Sequence, residues 1–300
     1  MNKEFMKGLQ NILCGEAIFL NEDMKNHTSF KIGGPAEVFV EIENVEELIK
    51  VTNYCKKEEA DFFVIGNGSN LLVADEGVAG VIIHLTGKLA GASVEGDKLR
   101  AGAGLSLAAL ATFTVEKELS GLEFAAGIPG SVGGAIYMNA GAYGGEMKDV
   151  VTGVYMIIDG ELKYYSAEKM DFSYRHSIVQ GLKNAIVVTV EFKLAPGKRE
   201  DIEEKINELN AKRREKQPLD YPSAGSTFKR PETGYASQLI EEAGLKGIRV
   251  GGAEVSKKHS GFIINADNAT AKDVKELISY VQKVVEEKSG VKLYPEVKML

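Results

Sequence analysis

The sequence has few cysteines and no long apolar run, and each shortage excludes a class of protein. Cys14 and Cys55 are far apart and form no Cys-x-x-Cys motif, which favours reduced thiols over a disulfide or a thiolate metal site. No apolar run approaches the roughly 20 residues that a membrane helix needs, and the first residues lack the apolar core of a signal peptide. We therefore expect a cytoplasmic protein with no membrane partner.

Positive charge and clustered histidines are also lacking. The formal net charge is −7, and this predicts no nucleic-acid partner, because such binding needs clustered excess positive charge. The four histidines show no His-x-x-x-His spacing or other ligand pattern; they are His27, His84, His176 and His259. The sequence therefore predicts no metal site.

The motifs of common nucleotide-binding folds are absent as well. Gly66 and Gly68 form a Gly-x-Gly pair, but Leu71 stands where a dinucleotide fingerprint has its third glycine. A second Gly-x-Gly pair further along the chain fails in the same way, and no Gly-x-x-x-x-Gly-Lys-Ser/Thr occurs. These failures exclude a Rossmann or P-loop interpretation.

Glycine is abundant in one apolar stretch, AAGIPGSVGGAIYMNAGAYGG at residues 125–145. Flexible linkers contain few large apolar residues, whereas here such residues alternate with the glycines. We therefore predict a buried, ordered loop in which glycine permits positive φ or a close backbone approach, and in which free amides bind a polar ligand. The alternative interpretation is a set of tight turns, which has the same composition.

Periodicity predicts an α/β unit around the first glycine pair. A helix begins after Asn44, and the apolar run Phe62–Ile65 predicts a strand that ends at Gly66–Asn70. Leu71–Val73 and Val81–Leu85 predict further strands. Ligands favour glycine turns at the carboxyl ends of strands in such folds, and successive amides suit a phosphate.

The chain of 300 residues is long enough for two or three compact units. The later predicted elements are a helix capped by Ser106, a hairpin of Val150–Ile158 and Leu162–Tyr165 around Asp159-Gly160, a strand at Ala185–Leu194, a helix at Asp201–Gln217, a helix capped by Thr270 and ended by Gly290, and an edge strand at Val291–Val297. We place a domain boundary at residues 195–200.

Several polar residues stand out, and each also has an ordinary structural explanation. Ser226 lies among small residues that leave its hydroxyl uncovered, but it lacks the Gly-x-Ser-x-Gly elbow of hydrolases and also fits a turn serine. Arg175 has the planar fork that binds carboxylates, or forms a surface ion pair. Glu296 also fits a solvated edge charge. Arg213 and Lys216 lie near a predicted helix C-terminus, which favours cations regardless of function.

Taken in order, eight blocks of this sequence resemble the UDP-N-acetylenolpyruvoylglucosamine reductases of bacterial cell-wall synthesis. The blocks are HTSFKIGGPA at 27–36, GNGSNLL at 66–72, GIPGSVGGA at 127–135, Tyr174-Arg175, AGSTFK at 224–229, AGLKG at 243–247, GGAEVS at 251–256 with His259, and PEV at 295–297. Each block alone is modest, whereas this many blocks in the same order are highly specific.

The resemblance implies an α+β fold. We expect a two-subdomain FAD-binding fold of the vanillyl-alcohol oxidase and p-cresol methylhydroxylase type, followed by a C-terminal α+β substrate-binding domain. The expected division is an N-terminal segment at 1–25, an FAD-binding domain at 26–195 that splits near 90–100, and a substrate-binding domain at 200–300. The short passage after Tyr174-Arg175 indicates the shorter type, which lacks an inserted substrate-capping loop.

The resemblance also implies non-covalent FAD, with NADPH as co-substrate and a UDP-sugar as substrate. The expected FAD-binding residues are Gly66, Asn67, Gly68, Ser69, Asn70, Gly127, Ile128, Pro129, Gly130, Ser131, Gly133, Gly134 and Ala135. The expected substrate-binding residues are Tyr174, Arg213, Lys216 and Lys229. We expect a monomer.

The reaction implied is reduction of an enolpyruvyl ether to a lactyl ether in peptidoglycan precursor synthesis, on which cell shape and division depend. The resemblance implies that Arg175 and Glu296 stabilise an enolate and that Ser226 donates the proton. We expect the pKa of Glu296 to be raised, since a charged carboxylate facing an enolate is unfavourable. Two alternatives stay open: a flavin-dependent oxidase of the same fold, and a nucleotide-binding module without redox activity.

Overall fold

The computed structural model describes residues 1–96 and 98–300, and this chain divides into two compact units. Unit 1 consists of Met1–Leu20, Val38–Asn67 and Gly80–Lys212. Unit 2 consists of Asn21–Glu37, Gly68–Ala79 and Arg213–Leu300. Each unit is therefore built from separated stretches of the chain. The contiguous domains expected from the sequence stay a prediction.

Helices form where a capping residue precedes an apolar helical pattern. The α-helices are α1 (Lys3–Gln10), α2 (Val45–Lys57), α3 (Leu107–Glu116), α4 (Val132–Met138), α5 (Arg199–Lys216), α6 (Ala236–Glu242) and α7 (Ala271–Ser289). The side chains of Asn44, Ser106 and Thr270 each accept a hydrogen bond from the backbone N–H three residues on, at the starts of α2, α3 and α7. Gly290 ends α7 with φ of +71°. These four predictions are confirmed.

The strands are short and lie in several sheets. They are β1 (Ile18–Asp23), β2 (Pro35–Ile42), β3 (Phe62–Ile65), β4 (Leu71–Leu72), β5 (Val78–Leu85), β6 (Ala92–Glu95), β7 (Lys98–Gly102), β8 (Leu119–Ser120), β9 (Gly141–Ala142), β10 (Gly145–Glu146), β11 (Val151–Ile158), β12 (Glu161–Ser166), β13 (Ile186–Phe192), β14 (Ala195–Pro196), β15 (Arg249–Val250), β16 (Ala253–Val255), β17 (Ile263–Asn265) and β18 (Lys298–Met299).

The two larger sheets lie wholly or mainly in unit 1. One has the strand order β1-β2-β5-β3, and the other has the order β12-β11-β13-β7-β6. β3 and β5 are parallel, which places the glycine turn after β3 at a strand's carboxyl end as predicted. β11 and β12 form the predicted hairpin, in which Asp159 and Gly160 both have positive φ, as a type I′ turn requires.

Each unit has its own apolar core. The core of unit 1 includes Val40 and Leu48 and is continuous with buried residues of α3, α4 and the five-stranded sheet. The core of unit 2 includes the apolar face of α7, among them Val274, Leu277 and Val281, packed with residues of the β15-β16-β17 sheet. The predicted inward face of α7 is therefore confirmed.

One buried carboxylate lies in the five-stranded sheet. Glu191 of β13 is 1% exposed, and its Oε1 accepts hydrogen bonds from Arg100 Nε at 2.9 Å and Nη2 at 2.8 Å. Lys98 Nζ lies 3.4 Å from the other carboxylate oxygen. Burial acts to raise the pKa of Glu191, but the hydrogen bonds and charges of Arg100 and Lys98 together hold it below its ordinary value.

The predicted final strand at Val291–Val297 is wrong. The last strand is β18, which pairs in parallel with β4, and the segment before it makes only an isolated bridge between Pro295 and Phe228. Pro295 has no N–H to donate to a ladder. Its neighbours Tyr294 and Glu296 make the backbone hydrogen bonds to residues 227–229 instead.

No helix in the described ranges combines the length and the apolar character that crossing a membrane requires.

Candidate functional site

The first glycine turn, Gly66–Asn70, follows β3 directly. A Cβ atom on Gly66 would collide with Ser131 Oγ, and one on Gly68 would collide with the carbonyl oxygen of His27. Gly68 also has φ of +58°, in the left-handed region that side-chain-bearing residues rarely adopt. Glycine is therefore required at both positions by the protein itself.

The second glycine loop, Gly127–Ala135, leads into α4. Ser131 is 2% exposed, and its Oγ accepts a hydrogen bond from Gly134 N at 3.3 Å, so it caps the helix. Backbone hydrogen bonds join this loop to the segment before α3, from Leu107 N to Gly130 O at 2.9 Å and from Gly133 N to Ala103 O at 2.8 Å. The loop is ordered, as predicted.

The prediction of a buried loop at residues 125–145 is only partly confirmed, because Val132–Met138 form the helix α4 and several residues before and within it are exposed or half-buried. Ser131 and Ala135 are buried, whereas Pro129 and Gly134 are exposed and Gly127, Ile128, Gly130 and Gly133 are half-buried. The apolar side chains of α4 face the core, which leaves the glycine edge open. Gly134 has no positive φ, and a Cβ there would meet only Ser131 Oγ at 3.4 Å. Close packing by the protein therefore does not explain this glycine.

Gly66 and Asn67, the part of the first glycine turn that belongs to unit 1, contact the second glycine loop. Besides the contact between Gly66 and Ser131, Asn67 Nδ2 donates a hydrogen bond to Pro129 O at 3.0 Å. Two segments that lie more than sixty positions apart in sequence are thereby joined into one polar, glycine-lined surface. The open edge of the second loop at Gly134, where close packing by the protein does not explain the glycine, fits a cofactor phosphate chain.

Arg175 lies at the tip of a tight turn. Ser173 and His176 exchange two backbone hydrogen bonds, of 3.2 and 3.1 Å, which places Tyr174 and Arg175 at the two central positions. The φ of Arg175 is +55°, an unfavourable value for a residue with a side chain. Its Cζ lies 5.2 Å from the ring centroid of Tyr174, which is half exposed. This strained, partly buried cation differs from an ordinary surface arginine.

Ser226 and Glu296 lie on neighbouring segments of unit 2. Glu296 N donates a hydrogen bond to Thr227 O at 2.8 Å, and Lys229 N donates one to Tyr294 O at 2.8 Å. Ser226 is exposed, and Glu296 and Lys229 are half-buried. The structure therefore brings together two of the three predicted catalytic residues and one predicted substrate-binding residue.

The backbone beside Ser226 is firmly held. Thr227 is 1% exposed, its N donates to Gly261 O at 2.8 Å, and its Oγ1 accepts from Ile263 N at 3.0 Å. Gly261 N in turn donates to Nδ1 of His259, whose pKa is lowered mainly by burial. Because the neighbouring backbone is firmly held, the exposed hydroxyl group of Ser226 is better suited to catalysis than that of an ordinary turn serine.

Asn70, at the end of the first glycine turn, contacts the Glu296 segment. Its Nδ2 donates to Glu296 O at 3.2 Å, and its carbonyl accepts from Lys298 N at 2.9 Å. Burial, followed by the charge of Lys229, lowers the pKa of Lys298. Sequence reasoning did not single out Lys298, which is the first residue of β18 and stands two positions after Glu296.

Other predicted positions are less closely tied to these residues. Arg213 is half-buried and Lys216 is exposed, in the last turn of α5 as predicted from the helix pattern. Their proposed contact with substrate stays a prediction, as does the raised pKa of Glu296. Within the described residues, no group of three His, Cys, Asp or Glu side chains is arranged to hold a metal ion.

Comparison with known families agrees with this geometry. The family model of the UDP-N-acetylenolpyruvoylglucosamine reductase C-terminal domain matches residues 217–300, and a model of an FAD binding domain matches residues 36–162. These two ranges contain both glycine loops, Ser226 and Glu296. Arg175 lies between them.

Similar proteins cover almost the whole chain. The UDP-N-acetylenolpyruvoylglucosamine reductase of Caldanaerobacter subterraneus subsp. tengcongensis is 54% identical over 97% of this chain and 96% of its own length. That of Lachnoclostridium phytofermentans is 48% identical over 100% of this chain and 98% of its own length.

Solved structures show the same fold. The crystal structure of UDP-N-acetylenolpyruvylglucosamine reductase from Thermus caldophilus matches with a TM-score of 0.80 at 39% identity, over 94% of this chain and 97% of that chain. The glucose dehydrogenase Phl p 4.0202 matches 65% of this chain and 44% of its own with a TM-score of 0.50 at 15% identity, which bears on the fold alone. The predicted α+β FAD-binding fold and the flavin cofactor are confirmed. This chain is an oxidoreductase that belongs to the UDP-N-acetylenolpyruvoylglucosamine reductase family.

Proposed function

We propose that this protein reduces the enolpyruvyl ether of UDP-N-acetylglucosamine to the lactyl ether of UDP-N-acetylmuramate, with NADPH as the electron source. The proposal rests on one observation above all, the backbone hydrogen bond of 2.8 Å from Glu296 N to Thr227 O. It makes the Ser226 hydroxyl and the Glu296 segment neighbours on a firmly held surface. Family membership supports the substrate.

The two glycine loops are the parts of the chain that fit FAD. The edge of the second loop at Gly134 is open, and Asn67 of the first loop is joined to Pro129 of the second. We assign these loops to the pyrophosphate, whose oxygens need backbone amides at close range. When bound there, FAD supplies hydride transfer from NADPH to the terminal carbon of the enolpyruvyl group.

Arg175 is the residue that we assign to the substrate carboxylate. Its guanidinium presents two parallel N–H groups to a carboxylate, and its charge opposes the negative charge that develops when the double bond is reduced. Because Arg175 is half-buried, solvent screens its charge less, and its attraction for the substrate carboxylate is stronger than that of an exposed arginine. The Tyr174 ring, whose centroid lies 5.2 Å from Cζ of Arg175, attracts the guanidinium through a cation–π interaction.

We assign proton donation to Ser226 and stabilisation of the enolate to Glu296. The product gains a hydride on the terminal carbon and a proton on the carbon that bears the ether oxygen. Ser226 donates that proton, and because its side chain is exposed, solvent can return a proton to it afterwards. Glu296 stabilises the enolate as a protonated or water-linked carboxyl group.

The same proposal covers location and assembly. We propose that the protein acts in the cytoplasm as a monomer, on a UDP-sugar, with no nucleic-acid or membrane partner. Size-exclusion chromatography with light scattering checks the assembly state.

The proposed function is tested with the purified wild-type protein under anaerobic conditions. NADPH should bleach the visible flavin band, and addition of the enolpyruvyl UDP-sugar should restore it with formation of UDP-N-acetylmuramate. Restoration of the band by oxygen but not by the enolpyruvyl substrate would favour a flavin oxidase. A colourless preparation that binds no FAD would favour a nucleotide-binding module without redox activity.

A further inference from the structure

Gln180 contacts the backbone of the turn that carries Arg175. Its Nε2 donates hydrogen bonds to Arg175 O at 3.0 Å and to Tyr137 O at 2.8 Å, and it lies 4.0 Å from Sδ of Met138. Gln180 is half-buried. Both oxygens belong to carbonyl groups, which only accept, so the amide must present its nitrogen to them and use both of its N–H groups.

Arg175 needs such support because of its backbone conformation. A side-chain-bearing residue at φ of +55° persists only where its surroundings enforce that conformation. The bonds between Ser173 and His176 fix the two ends of the turn. They leave the central carbonyl of Arg175 to be fixed by another group, and Gln180 supplies that bond.

The second hydrogen bond of Gln180 joins the turn to α4, the helix that follows the second glycine loop. Tyr137 belongs to the last turn of α4, and its carbonyl also accepts a hydrogen bond from Ser177 Oγ at 3.0 Å. Asn139, which is 1% exposed, donates to Ser173 O at 3.0 Å. The Arg175 turn is therefore tied at several points to the element that begins at Ser131.

We propose that Gln180 is a positioning residue that holds the Arg175 guanidinium at a fixed position relative to the second glycine loop. This inference rests on the proposed function, because it assigns Gln180 an effect only through Arg175. Gln180 itself contacts neither substrate nor cofactor in this proposal. A displacement of about 1 Å at a residue that orients substrate is enough to lower a rate by about 100-fold.

Two substitutions test the proposal. Gln180→Met keeps the length of the side chain and removes both donors, and Gln180→Glu keeps its shape but places acceptor oxygens against two carbonyls. Gln238→Met is the matched control, since Gln238 is exposed on α6 and its Nε2 donates to the Glu242 side chain at 2.8 Å, away from the Arg175 turn. Flavin content, thermal unfolding and both half-reactions are measured for each protein.

Gln180→Met should retain flavin and its reduction by NADPH, while reoxidation by the enolpyruvyl substrate slows by about 10- to 100-fold. Calorimetric titration should show weaker binding of that substrate to the oxidised protein, because the carboxylate fork is misplaced. Gln180→Glu should be slower still, and Gln238→Met should match the wild type in every measurement.

A double-mutant cycle with Arg175→Lys separates positioning from general damage. If Gln180 acts through Arg175, adding Gln180→Met to Arg175→Lys should slow reoxidation by less than about twofold further, since the fork is already lost. Equal slowing in both backgrounds, or an unchanged rate in Gln180→Met, would overturn the proposal. Failure of both Gln180 variants to fold with flavin would also overturn it, by assigning Gln180 to folding. A wild-type protein that the enolpyruvyl substrate does not reoxidise would instead refute the proposed function.

Discussion

The glycine turn at residues 66–70 and the segment around Ser226 differ in how strongly their surroundings restrict the side chain at each position. At Gly66 and Gly68, atoms of the protein occupy the space that a side chain would need. At Ser226, the side chain is exposed, although the backbone on its C-terminal side is held by buried Thr227. The first region is therefore constrained by the fold, while the identity of Ser226 is left free for chemistry. Substitutions ranked by their effect on stability test this contrast.

Gly68→Val should have the largest effect on stability. Valine at φ of +58° is strained, and its Cβ would collide with the backbone oxygen of His27, which cannot move like a flexible side chain. We expect a loss of more than about 3 kcal/mol, the sum of backbone strain and overpacking, measured by thermal or urea unfolding. Gly15→Ala is the control, because among the described residues none beyond its two chain neighbours has an atom within 4 Å of its Cβ position. A Gly68→Val protein as stable as that control would refute the close-packing argument.

Arg100→Met should have the next largest effect, because it leaves the buried Glu191 carboxylate with Lys98 alone. Removing one partner of a buried carboxylate is destabilising, and we expect a smaller loss than at Gly68 because Lys98 is retained and the Arg100 side chain is 36% exposed. The pKa of Glu191 is lowered in the folded protein, so the stabilisation is complete above the unfolded-state value and is lost as pH falls through the folded-state value. The difference in unfolding free energy between the two proteins should therefore shrink at acidic pH. A difference that grows on acidification would contradict this assignment.

Sequence reasoning located most of these elements because their signals are local. The caps at Asn44, Ser106 and Thr270 and the turn at Asp159-Gly160 depend on a few adjacent residues, and all four are confirmed. The strand predicted at Val291–Val297 failed because periodicity does not reveal which partner strand is available, and this segment pairs with Phe228 through a single bridge at Pro295.

The arrangement of the site was harder to predict, because it depends on distant contacts. The loops at Gly66 and Ser131 meet across more than sixty residues of sequence, and Glu296 reaches Thr227 across a similar separation. Only the resemblance to a family indicated that these residues act together. Gln180 carries no local signal at all, since its hydrogen bonds to Tyr137 and Arg175 are a product of the fold.

Gly134→Ala should have a small effect on stability and a larger one on flavin. The added methyl group would meet only Ser131 Oγ at 3.4 Å, an ordinary contact, and alanine favours a helix by up to about 1 kcal/mol over glycine. We expect an unchanged or slightly raised melting temperature of the flavin-free protein. Flavin affinity should fall if the open glycine edge faces the cofactor, as measured by equilibrium dialysis of FAD. Unchanged affinity would remove Gly134 from the flavin site.

Glu296→Gln should leave stability nearly unchanged, because Glu296 is only half-buried and its backbone hydrogen bond to Thr227 is retained. If the carboxyl group acts in its protonated form, the amide of glutamine replaces part of its hydrogen-bonding capacity. Glu296→Gln should then be reoxidised by substrate faster than Glu296→Ala. Equal rates for the two variants in stopped-flow absorbance would count against a proton-bearing carboxyl group.

Ser226→Ala should have the smallest effect on stability and the clearest effect on chemistry. The side chain is exposed, so the melting temperature, flavin content and reduction by NADPH should match the wild type. Ser226→Cys, which retains a proton donor, should recover part of any lost rate.

The central claim is tested most directly by mixing reduced Ser226→Ala with the enolpyruvyl UDP-sugar in an anaerobic stopped-flow instrument and following return of the flavin absorbance. Positioned general acid catalysis contributes about 10²–10⁴ in rate, so the account predicts reoxidation slowed by about that factor in a protein of unchanged stability. A reoxidation rate close to that of the wild type would contradict the account and leave Ser226 as an ordinary turn serine.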